Sequence, residues 1–190
     1  NYFDGIFIKN KACIGKRIYP NGDIFESKKW VNDRICGEGS FKNEKENIEF
    51  VGEWNEGKII KGDLKKTFFN PNSNKNEIVH FSSSRWKNLQ DAELGTIIFP
   101  DKIIYQGGWI QLKRNGKGTL KNQNDNTVIY KGNWENDYMN DKNGIFYEEK
   151  GKFQGHIVNN QYVKGLFTFK DKDKDKDTFQ GTFLENNFEE

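Results

Sequence analysis

One short pattern constrains this chain more than any other feature: an aromatic residue, a variable residue and a glycine, followed two positions later by a second aromatic or apolar residue. Copies read "FDGIF" from Phe3, "FVGEW" from Phe50, "YQGGW" from Tyr105, "YKGNW" from Tyr130, "FQGHI" from Phe153 and "FQGTF" from Phe179. Two variants, "FESKKW" from Phe25 and "FSSSRW" from Phe81, fill the gaps. The starts at 3, 25, 50, 81, 105, 130, 153 and 179 lie 22 to 31 residues apart over the whole chain. A period of this size marks an array in which each copy is one supersecondary unit, unable to bury its apolar face without neighbours. Each copy runs through a polar turn into a second, glycine-led stretch, such as "GKRIY" from Gly15, "GEGSF" from Gly37, "GKGTL" from Gly116 and "GLFTF" from Gly165.

The spacing predicts strands. Side chains alternate faces along a strand, so Tyr105, Gly107 and Trp109 share one face while Gln106 and Gly108 point to the other. A glycine between two aromatics leaves room for rings from the neighbouring hairpin to lie against the backbone. Phe, Tyr and Trp make up 15% of a chain that is only 34% hydrophobic, a bias that suits pleated surfaces better than helices. The expectation is an all-β fold: one elongated, single-layer antiparallel sheet of about eight consecutive hairpins over residues 1–190, twisted and curved, with no globular core. At a strand spacing of about 4.8 Å, eight hairpins extend on the order of 75 Å.

Tyr-x-Gly-x-Trp, a polar turn and Gly-x-Gly-x-Leu/Phe, at a period in the low twenties, resembles the MORN (membrane occupation and recognition nexus) repeat. The copies at Phe50, Tyr105 and Tyr130 match best, and degenerate copies extend the resemblance over essentially the whole chain. It implies a non-enzymatic β-sheet array of the kind found in cytoskeletal and membrane-associated scaffolds, in junctional proteins and beside the catalytic domains of some kinases and a methyltransferase. Family members are linked to acidic phospholipids, protein partners and self-association. The pattern departs from the family where Phe7, Ile157 and Phe183 stand in the tryptophan position and where "KKTFFNPNSNKNEIV" and "KDKDKDKD" lengthen two connections.

The variants carry the sharpest local expectations. From Phe25 to Trp30 and from Phe81 to Trp86 the spacing is five residues instead of four, and an extra residue reverses every later side chain unless a bulge absorbs it. Bulges are therefore expected near Ser27 to Lys29 and Ser83 to Arg85. Both variants also replace glycine by serine and place a cation before the tryptophan, which makes Lys28, Lys29 and Arg85 candidate contacts for a phosphate or an acidic partner. Trp54, Tyr105, Trp109, Tyr130 and Trp134 are the candidate lining of an aromatic groove for a protein partner.

Other motifs do not hold up. Gly116-Lys117 is not a phosphate-cradling loop, because Gln111 stands where its first glycine belongs and Gly118 where its hydroxyl belongs. The run from Asp171 has Lys176 and Thr182 at the positions where a calcium loop needs glycine and glutamate, and its alternating charge reads as a mobile, solvated loop. His80 and His156 fall on the non-aromatic face three repeats apart, too far for a shared metal. Ser82 to Ser84 lack the strand-to-helix elbow of a nucleophile. Cys13 and Cys36, the two cysteines, read as small buried or half-buried thiols of a reducing compartment, not as a bridge.

Thirty basic and 28 acidic residues nearly balance, unlike the basic stripe of a nucleic-acid binder. Residues 1–42 nevertheless carry eight Lys and Arg against five acids, and residues 135–190 carry eight Lys against twelve acids. No run approaches the ~18 apolar residues of a membrane-spanning helix. The chain starts inside a motif and without methionine, which reads as a piece of a longer protein. The sparse cysteines point to an intracellular protein and the aromatic strip to one that binds a protein partner or a second copy, without cofactor or metal; the resemblance implies a non-enzymatic scaffold peripheral to a membrane or the cytoskeleton. The alternatives are an anionic phospholipid module working through the basic amino-terminal repeats, a regulatory arm of an enzyme whose catalytic domain lies elsewhere, and a carbohydrate-binding repeat.

Overall fold

The computed structural model of the protein describes residues 2–9, 11–170, 178–184 and 186–188. The charged run from Asp171 to Asp177 lies outside the described residues. The chain forms two compact units, Asn1–Asp101 and Lys102–Glu190, both all-β.

The first unit holds β1 (Tyr2–Ile8), β2 (Lys11–Ile18), β3 (Asp23–Ser27), β4 (Trp30–Val31), β5 (Arg34–Ile35), β6 (Gly37–Asn43), β7 (Ile48–Asn55), β8 (Lys58–Asn70), β9 (Lys75–Ser83) and β10 (Ala92–Ile98). Apart from β4 and β5, which pair only with each other, every strand lies antiparallel to the next, giving an open meander from β1 to β10. The second unit holds β11 (Ile103–Ile110), β12 (Lys113–Asn122), β13 (Val128–Glu135), β14 (Tyr138–Met139), β15 (Asp141–Glu148), β16 (Gly151–Val158), β17 (Gln161–Phe169), β18 (Thr178–Leu184) and β19 (Asn187–Phe188), again an antiparallel meander. Every repeat start from the sequence falls on a strand, and among the described residues each unit contains four of the eight expected hairpins.

Register explains the glycines. In the first unit Gly5 faces Gly15, Gly15 faces Ser27, Ser27 faces Gly39, Gly39 faces Gly52, Gly52 faces Gly62 and Gly62 faces Ser83, so one column crosses seven strands. In the second unit Gly107, Gly118 and Gly132 are consecutive partners, as are Gly144, Gly155, Gly165 and Gly181. The ring that covers these glycines is not the neighbouring hairpin's, as the spacing had suggested, but the hairpin's own first ring, which lies over the glycine two residues later on its strand and over the facing glycine of the return strand. A Cβ built on Gly52 or Gly62 would lie 2.7 or 2.5 Å from Cζ of Phe50, and one on Gly118 would lie 2.5 Å from Cζ of Tyr105. A side chain at Gly52, Gly62 or Gly118 would have to displace an aromatic ring.

The neighbouring hairpin contributes a ring edge instead. Trp54 meets Phe50 of its own strand at 5.3 Å between centroids and Phe25 of the preceding repeat at 5.7 Å, both near perpendicular. Trp134 does the same with Tyr130 at 5.1 Å and Tyr105 at 5.5 Å, and Phe183 with Phe179 at 5.5 Å and Phe153 at 5.1 Å. Phe183 thus takes over the tryptophan's work. Where Ile157 has replaced the tryptophan, Tyr162 stacks flat on Phe153 at 4.1 Å. Edge-to-face pairs contribute about 0.5–1.5 kcal/mol each beyond the area they bury, so this row of rings is what gives a single-layer sheet its core.

The expected bulges at the two variants do not form. β3 stops at Ser27 and β9 stops at Ser83, and the chain leaves the ladder, through the β4–β5 pair in one case and a loop with a single Trp86 to Ala92 bridge in the other. The reason is the serine hydroxyl. Ser27 Oγ accepts from the Lys29 N–H at 3.0 Å and lies 2.8 Å from the Glu38 carbonyl, eleven residues on. Ser83 Oγ accepts from the Arg85 N–H at 2.8 Å and donates to the Leu94 carbonyl at 2.7 Å, again eleven residues on. Each buried hydroxyl supplies the hydrogen bonds that an interrupted ladder would leave unmade, and the extra residue is absorbed by ending the strand. Register shifts occur elsewhere, mainly beside the two-residue turns, as between Ile6 and Phe7, Glu53 and Trp54, and His156 and Ile157.

Those turns also join repeat to repeat. Asn136-Asp137 and Asn159-Asn160 both have positive φ, 51° and 73° in the first pair and 50° and 69° in the second, the geometry of a primed hairpin turn. The second residue of each turn reaches back to the previous repeat. Asp137 Oδ1 accepts from the Arg114 N–H at 2.8 Å, Asn160 Oδ1 from the Met139 N–H at 2.7 Å and Asn186 Oδ1 from the Tyr162 N–H at 2.6 Å. The Asn160→Gly variant keeps the left-handed backbone and removes only the acceptor, so it is expected to lower stability by ~1 kcal/mol in urea unfolding, the net worth of one hydrogen bond.

Candidate interaction surfaces

The candidate groove is an interior. Trp54, Tyr105, Trp109, Tyr130 and Trp134 are 4%, 0%, 1%, 0% and 3% exposed. Tyr105 and Tyr130 lie over the glycine column and donate their hydroxyls to the carbonyls of Gly108 and Asn133, both at 2.9 Å. The guanidinium of Arg114 sits 4.0 Å from the Trp134 ring while its Nε donates to Asp137 Oδ1 at 3.0 Å. Burial pushes the phenol pKa of both tyrosines well above the ordinary tyrosine range. Rings so fully covered present almost nothing to a partner, and the expectation that they line an open groove is corrected accordingly: with no second layer, the array needs them as its core.

Lys28, Lys29 and Arg85 are exposed, as a contact for an anion requires. They do not converge. β3 and β9 are four strand spacings apart, about 19 Å at ~4.8 Å per strand. Lys29 borders a shallow concavity that it shares with Glu53 and Glu56, and beside Arg85 the Lys87 ammonium pairs with Glu93 at 3.5 Å. Ser27 and Ser83, which the sequence groups with these cations, are 5% and 7% exposed, with hydroxyls engaged by the backbone. His80 is exposed and His156 half-buried, both on the face away from the rings. Cys13 and Cys36 are free thiols, half-buried and buried. Among the described residues no three His, Cys, Asp or Glu side chains gather as metal ligands, and no helix is long and apolar enough to cross a membrane.

A different surface was hidden in a segment that reads as a lengthened connection. Residues Lys65 to Val79 form the far ends of β8 and β9 and the four-residue turn between them. The β7 ladder on β8 ends at Ile48 opposite Lys66, whereas β8 and β9 stay paired out to Asn70 opposite Lys75. The hairpin therefore runs past the strand that supports it, pinned at its base by the Thr67 N–H donating to the Asn47 carbonyl at 3.0 Å. On this overhang Phe68 is 39%, Phe69 59% and Ile78 43% exposed, on both faces, with Lys65, Lys66 and Lys75 beside them. The signal in the sequence was the pair of adjacent aromatics between two lysine groups, which breaks the alternation of a half-buried strand.

No protein-family model matches the sequence, and no curated protein matches it.

Proposed function

We propose that the protein is a MORN-type repeat array that works as a non-enzymatic interaction scaffold. The observation that carries this reading is the overhanging β8–β9 hairpin. Large apolar side chains scattered singly over a surface need no explanation, but two adjacent phenyl rings and an isoleucine on a two-stranded projection do, because such a hairpin is marginal in water by itself. Aromatic side chains are the residues that anchor protein interfaces. The rings of the array hold the sheet, the column of glycines lets them lie flat, and the projection presents apolar surface to a partner.

The test is affinity capture from the native lysate with the wild-type chain and with Phe68→Ser/Phe69→Ser. A partner retained by the first and lost by the second supports the scaffold. A partner set unchanged by the double substitution, or no retained protein at all, overturns it. Because both rings are exposed and their strand pairing is backbone-made, the double variant is expected to unfold within ~0.5 kcal/mol of wild type.

A second reading, binding to anionic phospholipid, has one observation in its favour: Lys28, Lys29 and Arg85 are all exposed. Each cation near an anionic surface contributes about 1 kcal/mol. Co-sedimentation with phosphoinositide-containing vesicles that survives physiological salt and is lost in Lys28→Glu/Lys29→Glu/Arg85→Glu would establish it, and binding that disappears with salt would remove it.

A further inference from the structure

The β8–β9 overhang, where the chain departs from its own repeat, carries an open strand edge as well as exposed rings. The register of β9 on β8 is unbroken from Gly62 opposite Ser83 to Asn70 opposite Lys75. Thr67 directs its N–H away from β9, to the Asn47 carbonyl. In an antiparallel ladder two directly opposed residues aim their backbone groups either at each other or both outward, and the two kinds of pair alternate. Ile78, opposite Thr67, and Asn76, opposite Phe69, therefore aim their N–H and C=O at the outer side of β9. β10 covers that side only as far as Ile98 opposite His80, and among the described residues no strand pairs with β9 beyond it.

The side chains beside this edge sort by face. Asn76 and Ile78 lie on the face away from the ring row, with Phe69 and Thr67 behind them on β8. Ile78 and Phe69 are both exposed there, and Asn76 is too short to screen the ring from a neighbouring strand. Lys75 and Val79 lie on the other face, with Asn70 and Lys66 behind them. Lys16, Arg17, Lys42, Lys61 and Lys87 of the same unit each stand within 4.0 Å of a carboxylate. Among the described residues Lys65, Lys66 and Lys75 have no carboxylate at that distance. Glu77, the one acid of the overhang, accepts from Ser73 Oγ at 2.7 Å.

We propose that the outer edge of β9 takes an extended acidic segment of a partner protein as an added strand, with its apolar side chains over Ile78 and Phe69 and its carboxylates beside Lys66 and Lys75. Strand addition takes its affinity from main-chain hydrogen bonds and its specificity from alternate side chains. Here it also turns a marginal two-stranded projection into three strands. The lysines that blunt this edge against its own kind select an acidic strand, since a second copy would bring the same cations. A bilayer fits less well, because the exposed, polar turn Pro71-Asn72-Ser73-Asn74 projects beyond the rings and would enter first. The proposal rests on the scaffold reading and names the chemistry of its partner.

The test is fluorescence anisotropy of a dye-labelled peptide of about eight residues, glutamate alternating with valine, titrated with the whole chain. A dissociation constant of about 100 µM or tighter is expected at low ionic strength. The same peptide with lysine for glutamate is expected to bind about tenfold more weakly, and two central prolines, which remove ladder donors, to abolish binding. Lys66→Glu/Lys75→Glu leaves Phe68 and Phe69 in place and reverses the order: the glutamate peptide weakens about tenfold and the lysine peptide gains. No saturable binding, equal affinity for the two charged peptides, an unaffected proline peptide or a variant that keeps the wild-type order would each overturn the proposal. A chain that sediments with anionic vesicles and ignores the glutamate peptide would overturn it too and assign the projection to a membrane. A partner captured through Phe68 and Phe69 while the glutamate peptide fails keeps the scaffold reading and removes this one, so the two fail separately.

Discussion

Gly118→Ala is expected to lower stability by about 3 kcal/mol, the upper end of what overpacking one methyl group costs. Its Cβ would fall 2.5 Å from both Cζ and the hydroxyl oxygen of Tyr105, and the ring cannot step aside. The Tyr105 hydroxyl is bound to the Gly108 carbonyl at 2.9 Å, and the Trp134 ring stands near perpendicular to it with 5.5 Å between centroids. Accommodating the methyl group means lifting Tyr105, breaking that hydrogen bond and opening the contact with Trp134. Gly116→Ala, two residues earlier, is the control. Nothing lies within 4 Å of its Cβ position, and the φ of +75° makes the substitution a backbone penalty alone, expected near 1 kcal/mol. Urea unfolding followed by tryptophan fluorescence measures both. In a double-mutant cycle, Tyr105→Ala should abolish most of the cost of Gly118→Ala, a coupling of about 2 kcal/mol. A cost below that of Gly116→Ala would mean that the ring does not cover the column.

Alkaline pH is expected to unfold the second unit steeply. Tyr105, Tyr130 and Tyr162 are all held above the ordinary tyrosine range, in each case first by burial. For Tyr130 the Asp141 carboxylate adds to the effect, and for Tyr162 the hydrogen-bonded Glu148 does; for Tyr105 the Arg114 guanidinium opposes it. The unfolded chain releases these protons near pH 10 and the folded chain does not. The folded state therefore binds more protons above that pH, so stability is complete below about pH 10 and falls as pH rises further. Each group contributes a slope of about 1.4 kcal/mol per pH unit, about 4 kcal/mol for three acting together. Replacing all three by phenylalanine removes the linkage, so the alkaline limb of the stability curve flattens even where the loss of the hydroxyl hydrogen bonds lowers its plateau. An unchanged limb in the triple variant would assign the alkaline transition to other groups.

Much of this architecture was legible in the chain itself. The aromatic-x-Gly pattern located a strand at every repeat start, and alternation placed the rings on one face and His80 and His156 on the other. What it could not locate was the partner of each group. Ser27 looked like a decayed glycine beside two free cations, yet its hydroxyl is tied to a carbonyl eleven residues away. The two serines share that spacing and the N–H two residues on, a regularity visible only once the strands are in register. Nothing in the repeat pattern singles out Asn160, and only the stacking of hairpins brings Met139, twenty-one residues earlier, within its reach. Residues 65–79 read as a lengthened connection, although cross-strand hydrogen bonds hold both flanks as strand.

Sequence alone determined the repeat, its period, the β class and which residues share a face, because alternation is set by backbone geometry within a few residues of each side chain. The tertiary structure decided that the aromatic face is an interior, that the serines end their strands and that two adjacent phenyl rings stand exposed on the β8–β9 overhang. Burial depends on what the next strand places overhead, and a hydrogen bond on a register fixed across many residues, so neither can be read from a spacing.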